Sequence, residues 1–321
     1  FTTSNSTRFF LAACLTRSLF SLMNLISSII RYNIIIMIRE LLPPDFPELL
    51  KEITDPPKRL RYEGELPKNG NKLLAVVGSR KYSSYGREIC ESLISGLADA
   101  PITIVSGLAL GIDSVAHRAA IRAGLQTIAI PGSGLDRKVL HPHSHVNLAE
   151  EIIENGGGLI SEYDDTMPSG AWAFPRRNRI MAGMCHATLV IEAERKSGTL
   201  ITSRLATEYN REVGAVPGPV NSPTSDGPHM LIRLGAALIR DHNDVRELLG
   251  LKRTDENQTL VDVEDLSDEE KVFVKILENP CPRDELIRKS KLDISTASAT
   301  LSLLEIKGLI TEELGEVRKT F

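Results

Sequence analysis

Between Lys72 and Leu249 the chain repeats one unit: a short apolar run, a turn rich in glycine or serine, then a segment with helical spacing. No other feature restricts the fold as much. Strands that each need a helical crossover to reach the next form a parallel sheet covered by helices. Runs at residues 73–77, 102–105, 126–130, 158–160, 188–191, 214–216 and 236–239 read as strands. They lack strict polar alternation, which fits strands buried on both faces. Helical spacing falls between them at residues 84–98, 113–123, 146–154, 200–209 and 244–249. The expected class is α/β, with a Rossmann-like, doubly wound and mostly parallel sheet. Ligands of such sheets bind beyond the carboxyl ends of the strands, where helix N-termini present free N–H groups.

The remaining residues divide around this block. Residues 1–40 are rich in Leu, Ile and Phe but are broken by Arg17, Arg31, Tyr32 and Asn33, so no clean membrane span results. They also fit a secretory signal poorly. We read them as an extension, with translation starting at Met37 and no membrane association. Residues 41–71 are proline-rich and read as a lead-in that packs on the main domain at 72–250. An acidic linker without periodicity, 251–266, precedes residues 267–321, where three short helical segments and a strand pair around Gly315 follow the winged-helix plan. The third of those helices, beginning Ser295-Thr296-Ala297-Ser298, contains no arginine, so partner docking is as open to it as groove reading.

Several turns after strands carry phosphate-ready chemistry. In Gly78-Ser79-Arg80 the glycine permits a tight turn, the serine offers a hydroxyl and the arginine stands where a phosphate would approach. The plainer reading has Arg80 neutralising a carboxylate. Ser106-Gly107 and Gly111 precede a helix on which Asp113 reads as a cap and His117 as structural. Their spacing matches neither a dinucleotide fingerprint nor a Walker loop, so no cofactor is expected. Lys196-Ser197-Gly198-Thr199 places a point charge above a helix start. His141, His143 and His145 alternate without a carboxylate pattern to fix a geometry, and no metal is expected. Cys14, Cys90, Cys185 and Cys281 are too scattered for a disulfide framework, which favours a reducing cytoplasm.

The most concentrated signal is Phe174-Pro175-Arg176-Arg177-Asn178-Arg179-Ile180. Guanidinium forks match phosphate oxygens, and an adjacent ring can stack on a base. A solvated helix start is the plainer alternative. Arg177 and Arg179 are candidates to touch phosphate or to buttress the residues that do, Asn178 to order the turn, and Phe174 to stack or to pack beneath it. With a net charge of −4, any nucleic-acid site must be a local patch.

Taken in order, Val77-Gly78-Ser79-Arg80, Ser106-Gly107-Leu108-Ala109, Gly111-Ile112-Asp113, Ala116-His117, Gly132-Ser133-Gly134-Leu135-Asp136, Phe174-Pro175 with Arg177-Asn178-Arg179-Ile180, and Ser197-Gly198-Thr199 resemble the signature blocks of the DNA-processing protein A family. That family, also called Smf, contains bacterial transformation and recombination proteins. The resemblance covers about residues 41–249, and the tail is similar to the winged-helix domain many members carry. It implies a domain that binds single-stranded DNA, forms a homodimer and loads the RecA recombinase onto the strand, without catalysis. Arg80, Lys196 and Arg176 to Arg179 fall where the family's binding pocket would be. Departures are His141, where a tyrosine usually precedes the proline, and His229, near Gly227, where asparagine is common.

Two rivals remain. A nucleotide phosphoribohydrolase of the lysine-decarboxylase-like Rossmann group would carry a catalytic glutamate where Thr202 stands, and Glu162 and Glu192 read as structural. A regulatory DNA binder would act through the winged helix, whose neutral third helix argues against base readout.

Overall fold

The computed structural model describes residues 37–254, 266–277, 280–307, 309–313 and 315–319. The proposed extension up to residue 36, Cys14 and most of the proposed linker lie outside these residues. Contacts divide the chain into two compact units at Arg253 and Thr254.

The larger unit is built on nine strands in the order β1-β2-β6-β5-β4-β3-β7-β8-β9. Strands β3 (Lys72–Val77), β4 (Ile102–Ser106), β5 (Gln126–Ala129), β6 (Gly158–Ser161), β7 (Ala187–Val190), β8 (Glu212–Ala215) and β9 (Ala237–Leu238) are mutually parallel. The lead-in contributes more than packing. Its β1 (Arg39–Leu41) and β2 (Leu60–Gly64) extend the sheet as antiparallel strands beside β6.

Residues of β3 alternate between the two faces. Leu74 and Val76 join a core with α2 (Ser84–Ser95), α3 (Ile112–Arg122) and α8 (His242–Leu248). Leu73, Ala75 and Val77 face α1 (Glu48–Lys51), α5 (Ala173–Met184) and α7 (Asp226–Arg233). Of the two helices not yet placed, α4 (Val146–Glu154) closes a third cluster around Leu135 and Leu159, and α6 (Thr199–Glu208) lies along α5. Both faces are thus covered, which is why the strand runs are continuously apolar.

The chain winds outward from β3 through β6, then α5 returns it across the sheet so that β7 pairs with β3. Where the winding reverses, the loops beyond β3 and β7 part and leave a crevice.

The smaller unit is a winged helix. Its helices α9 (Asp268–Ile276), α10 (Arg283–Ser290) and α11 (Ile294–Ile306) enclose Phe273, Leu286, Leu301 and Leu304, backed by a sheet of order β10-β12-β11 comprising β10 (Cys281–Pro282), β11 (Ile310–Glu313) and β12 (Glu316–Lys319). Ser267 and Glu270 form a reciprocal capping box on α9, and Asp293 caps α11 through the Thr296 N–H at 3.0 Å.

Candidate functional site

The crevice between β3 and β7 holds a pocket of about 460 Å³, lined by Gly78, Ser79, Arg80 and Lys81 from one side and Ser197, Gly198 and Thr199 from the other. Phe174, Arg177, Asn178 and Met181 of α5 form its floor, with Asp113 beside them. Four separated stretches of sequence therefore meet at one place. The two facing turns are tied together, since the Thr199 hydroxyl donates to the Gly78 carbonyl at 3.0 Å. Ser197 Oγ in turn accepts from the Thr199 N–H at 3.2 Å.

The arginine cluster is the start of a helix, not a turn. Pro175 is tolerated in the first turn of α5 because N–H groups there have no intrahelical partner anyway. Beyond it, Arg177, Asn178 and Arg179 are all buried. The Arg177 guanidinium donates to the carbonyls of Gly107, at 2.5 Å, and Ile130, while its Nε donates to Asn178 Oδ1 at 3.0 Å. Its charge also faces Asp113; burial lowers the pKa of Arg177 and raises that of Asp113, each partly offset by the other's charge. Asp113 does not cap its helix. The N-cap is Gly111, and the Asp113 carboxylate accepts from the Gly107 N–H at 3.0 Å in the loop ahead.

Glycine serves this arrangement at two positions. A Cβ on Gly107 would collide with the Arg177 guanidinium, so the close approach that Gly107 permits is that of the protein's own arginine. Gly111 has φ +92° against the Ser79 carbonyl, a conformation side chains rarely adopt. Ser106 lies beneath the pocket and spends its hydroxyl on the Val76 carbonyl at 2.7 Å. Ser79 Oγ is likewise engaged by the Lys81 backbone, at 2.9 and 3.0 Å.

Arg176 and Arg179 are turned away from the pocket. Both pair with Glu162, Arg176 at 3.2 Å, and Arg179 also donates to the Asp55 carbonyl at 2.6 Å. Phe174 is half-buried, its ring against Gly132, with the Arg80 guanidinium 5.4 Å from the ring centroid and His141 at 5.6 Å. Around the mouth, Arg80, Lys81, Arg195 and Lys196 are exposed, and among the described residues no carboxylate reaches any of them within 4.0 Å. Lys196 stands beside the pocket without lining it. Sequence reasoning passed over Lys81 and the nearness of the Arg177 charge to Asp113; Lys81 was legible as the second cation of its loop, that nearness was not.

Carboxylates read as structural are held as such. Glu192 accepts from the Ser83 N–H and hydroxyl and from the Thr224 hydroxyl, at 2.9, 2.6 and 3.0 Å. Thr202 is buried on the pocket wall. His117 is fully buried with Nδ1 2.7 Å from Thr127 Oγ1, whose own proton goes to the Ile104 carbonyl, so Nδ1 carries the hydrogen. Burial lowers its pKa to about 3. Among the described residues no cluster of His, Cys, Asp or Glu is arranged to hold a metal, and no helix is long and apolar enough to cross a membrane.

The family model for DNA recombination-mediator protein A matches residues 38–250, and that for the DprA winged helix domain matches residues 259–316. Protein Smf of Escherichia coli (strain K12) is 45% identical over 212 residues, a match covering 65% of this chain and 56% of that protein. The chain thus aligns with little more than half of that relative. DNA processing protein DprA of Streptococcus pneumoniae is 43% identical over 200 residues, covering 62% of this chain and 70% of the relative. The X-ray structure of the S. pneumoniae protein superposes with a TM-score of 0.62 at 39% identity, covering 67% of this chain and 76% of that one. DNA processing protein A from Helicobacter pylori, whose structure addresses its single-stranded DNA binding mode, gives a TM-score of 0.59 at 27% identity and covers 67% and 96%. This chain belongs to the DNA recombination-mediator protein A family.

Proposed function

We propose that the chain binds single-stranded DNA at the pocket between β3 and β7 and, as a recombination mediator in DNA uptake processing, delivers the strand to RecA without chemistry of its own. One observation carries the reading: unpaired cations, Arg80, Lys81 and Lys196, surround a pocket whose accessible ring is Phe174. Cations that already hold a carboxylate have little left for a phosphate; these do not. A recessed ring selects for strands whose bases are free, because a duplex keeps its bases stacked inside. The H. pylori relative's single-stranded DNA binding supports the same choice. Against a glycosidic hydrolase stand Thr202 in place of the glutamate and Asp113 committed to backbone N–H groups.

Competition between single-stranded and duplex oligonucleotides of one sequence tests the reading. A clear single-strand preference is the expected result, and equal affinity would remove it. Delivery to RecA is tested separately, by whether the protein shortens the lag of RecA filament formation on a coated strand. A homodimer completes the proposal, with apolar surface available at Val220 and Leu234, which are 90% and 76% exposed.

A further inference from the structure

The chain has a single tryptophan, Trp172, and leaves it 58% exposed immediately before α5. An indole left this exposed keeps its π-face available to a partner. The indole is also held in place. Tyr163 meets it edge to face, with centroids 5.6 Å apart and planes at 89°. Tyr163 is itself buried and fixed by donating its hydroxyl to the Ala173 carbonyl at 3.0 Å. A Cβ at Gly170 would lie 2.8 Å from the indole Nε1, so only glycine leaves the ring its position. Trp172 does not line the pocket, yet it lies two residues from Phe174, which does. Two residues apart, their Cα atoms are within about 7 Å.

We propose that Trp172 is a second base-stacking platform, outside the pocket, for the nucleotide adjacent to the one received at Phe174. This rests on the single-stranded DNA reading and extends it: the strand leaves the pocket across the start of α5, and the site takes at least two successive bases. Stacking is indifferent to base identity and carries no charge. It therefore has a signature that a phosphate contact lacks.

Thymidine oligonucleotides of increasing length are titrated against wild type, Trp172→Ala, Trp172→Phe and Arg80→Ala at several salt concentrations, with tryptophan emission and thermal melting recorded. The expected outcome is quenching of wild-type emission by the strand, a loss of about tenfold in affinity for Trp172→Ala with an unchanged salt slope, and recovery of most of it in Trp172→Phe. For the shortest oligonucleotides, which fill only the pocket, Trp172→Ala should match wild type. Unquenched emission together with wild-type affinity in Trp172→Ala, while Arg80→Ala still binds weakly, overturns the platform and leaves the pocket standing. A loss in Trp172→Ala accompanied by a lower salt slope or melting point also overturns it. Single-strand binding that is absent or indifferent to Arg80 brings down the pocket reading first.

Discussion

The floor and the rim of the pocket carry the same kind of charge to different ends. On the floor, Arg177 is buried and its fork is taken up by two carbonyls and Asn178. At the rim, Arg80 and Lys196 are exposed, and among the described residues no carboxylate reaches them. A buried guanidinium is stable only if the fold supplies acceptors in advance, so the floor is a brace between the loops after β4 and β5. Exposed cations cost little and keep their bonding capacity for a ligand. Density of arginine in the sequence thus marked the brace, and the sparser positions marked the surface proposed to meet the strand.

The comparison breaks most readily at Arg177. Replacing it by Met should cost about 3–5 kcal/mol in urea unfolding at pH 7, because Asp113 is left buried without its countercharge. A loss under 1 kcal/mol would mean the floor is not a brace. At the rim, Arg80→Ala combined with Lys196→Ala should weaken single-strand binding by about 30-fold, near 2 kcal/mol, while unfolding stays within about 0.5 kcal/mol of wild type.

Stability should also depend on pH through His117, a buried ring outside the pocket that the Arg177 charge helps to keep neutral. His117 is neutral when folded, its pKa lowered to about 3, whereas an unfolded histidine titrates near 6.5. Between those values the unfolded chain binds a proton that the folded one refuses, so stability falls as pH drops below about 6.5, by at most about 1.4 kcal/mol per pH unit. Unfolding at pH 7 and pH 5 should show a shallower pH dependence in His117→Asn than in wild type. Smallest of all, Arg176→Ala should change stability by less than about 1 kcal/mol, since its partner Glu162 keeps Arg179. Its binding should match wild type.

The parallel core was legible because strands buried on both faces read as plain apolar runs, and β3 to β9 fall close to those runs. The antiparallel strands β1 and β2 were not, since Arg39, Glu40, Arg61 and Glu63 give them the look of a polar lead-in. Helix α5 stood in the sequence only as the plainer alternative of a solvated helix start, and it is not solvated because its polar residues are satisfied by Gly107, Ile130 and Asp55, all distant in sequence. Gly227 and Pro228 in the first turn of α7 kept it from standing out as a helix. In the candidate site, the turns at Gly78 and Ser197 were visible as strand-end motifs. Which cations are free was not, because that depends on where carboxylates such as Glu162 come to lie.

The central claim, that a single strand lies against the rim, is tested most directly by the salt dependence of its affinity. Anisotropy titrations of a single-stranded oligonucleotide from 50 to 200 mM salt, roughly the range over which counterion release dominates, give a log–log slope proportional to the phosphates contacted. The double rim variant Arg80→Ala, Lys196→Ala should lower that slope by about 1.4, two contacts' worth for single strands, while Arg176→Ala leaves it unchanged. An unaltered slope in the rim variant, or a drop of that size in Arg176→Ala, would contradict the account.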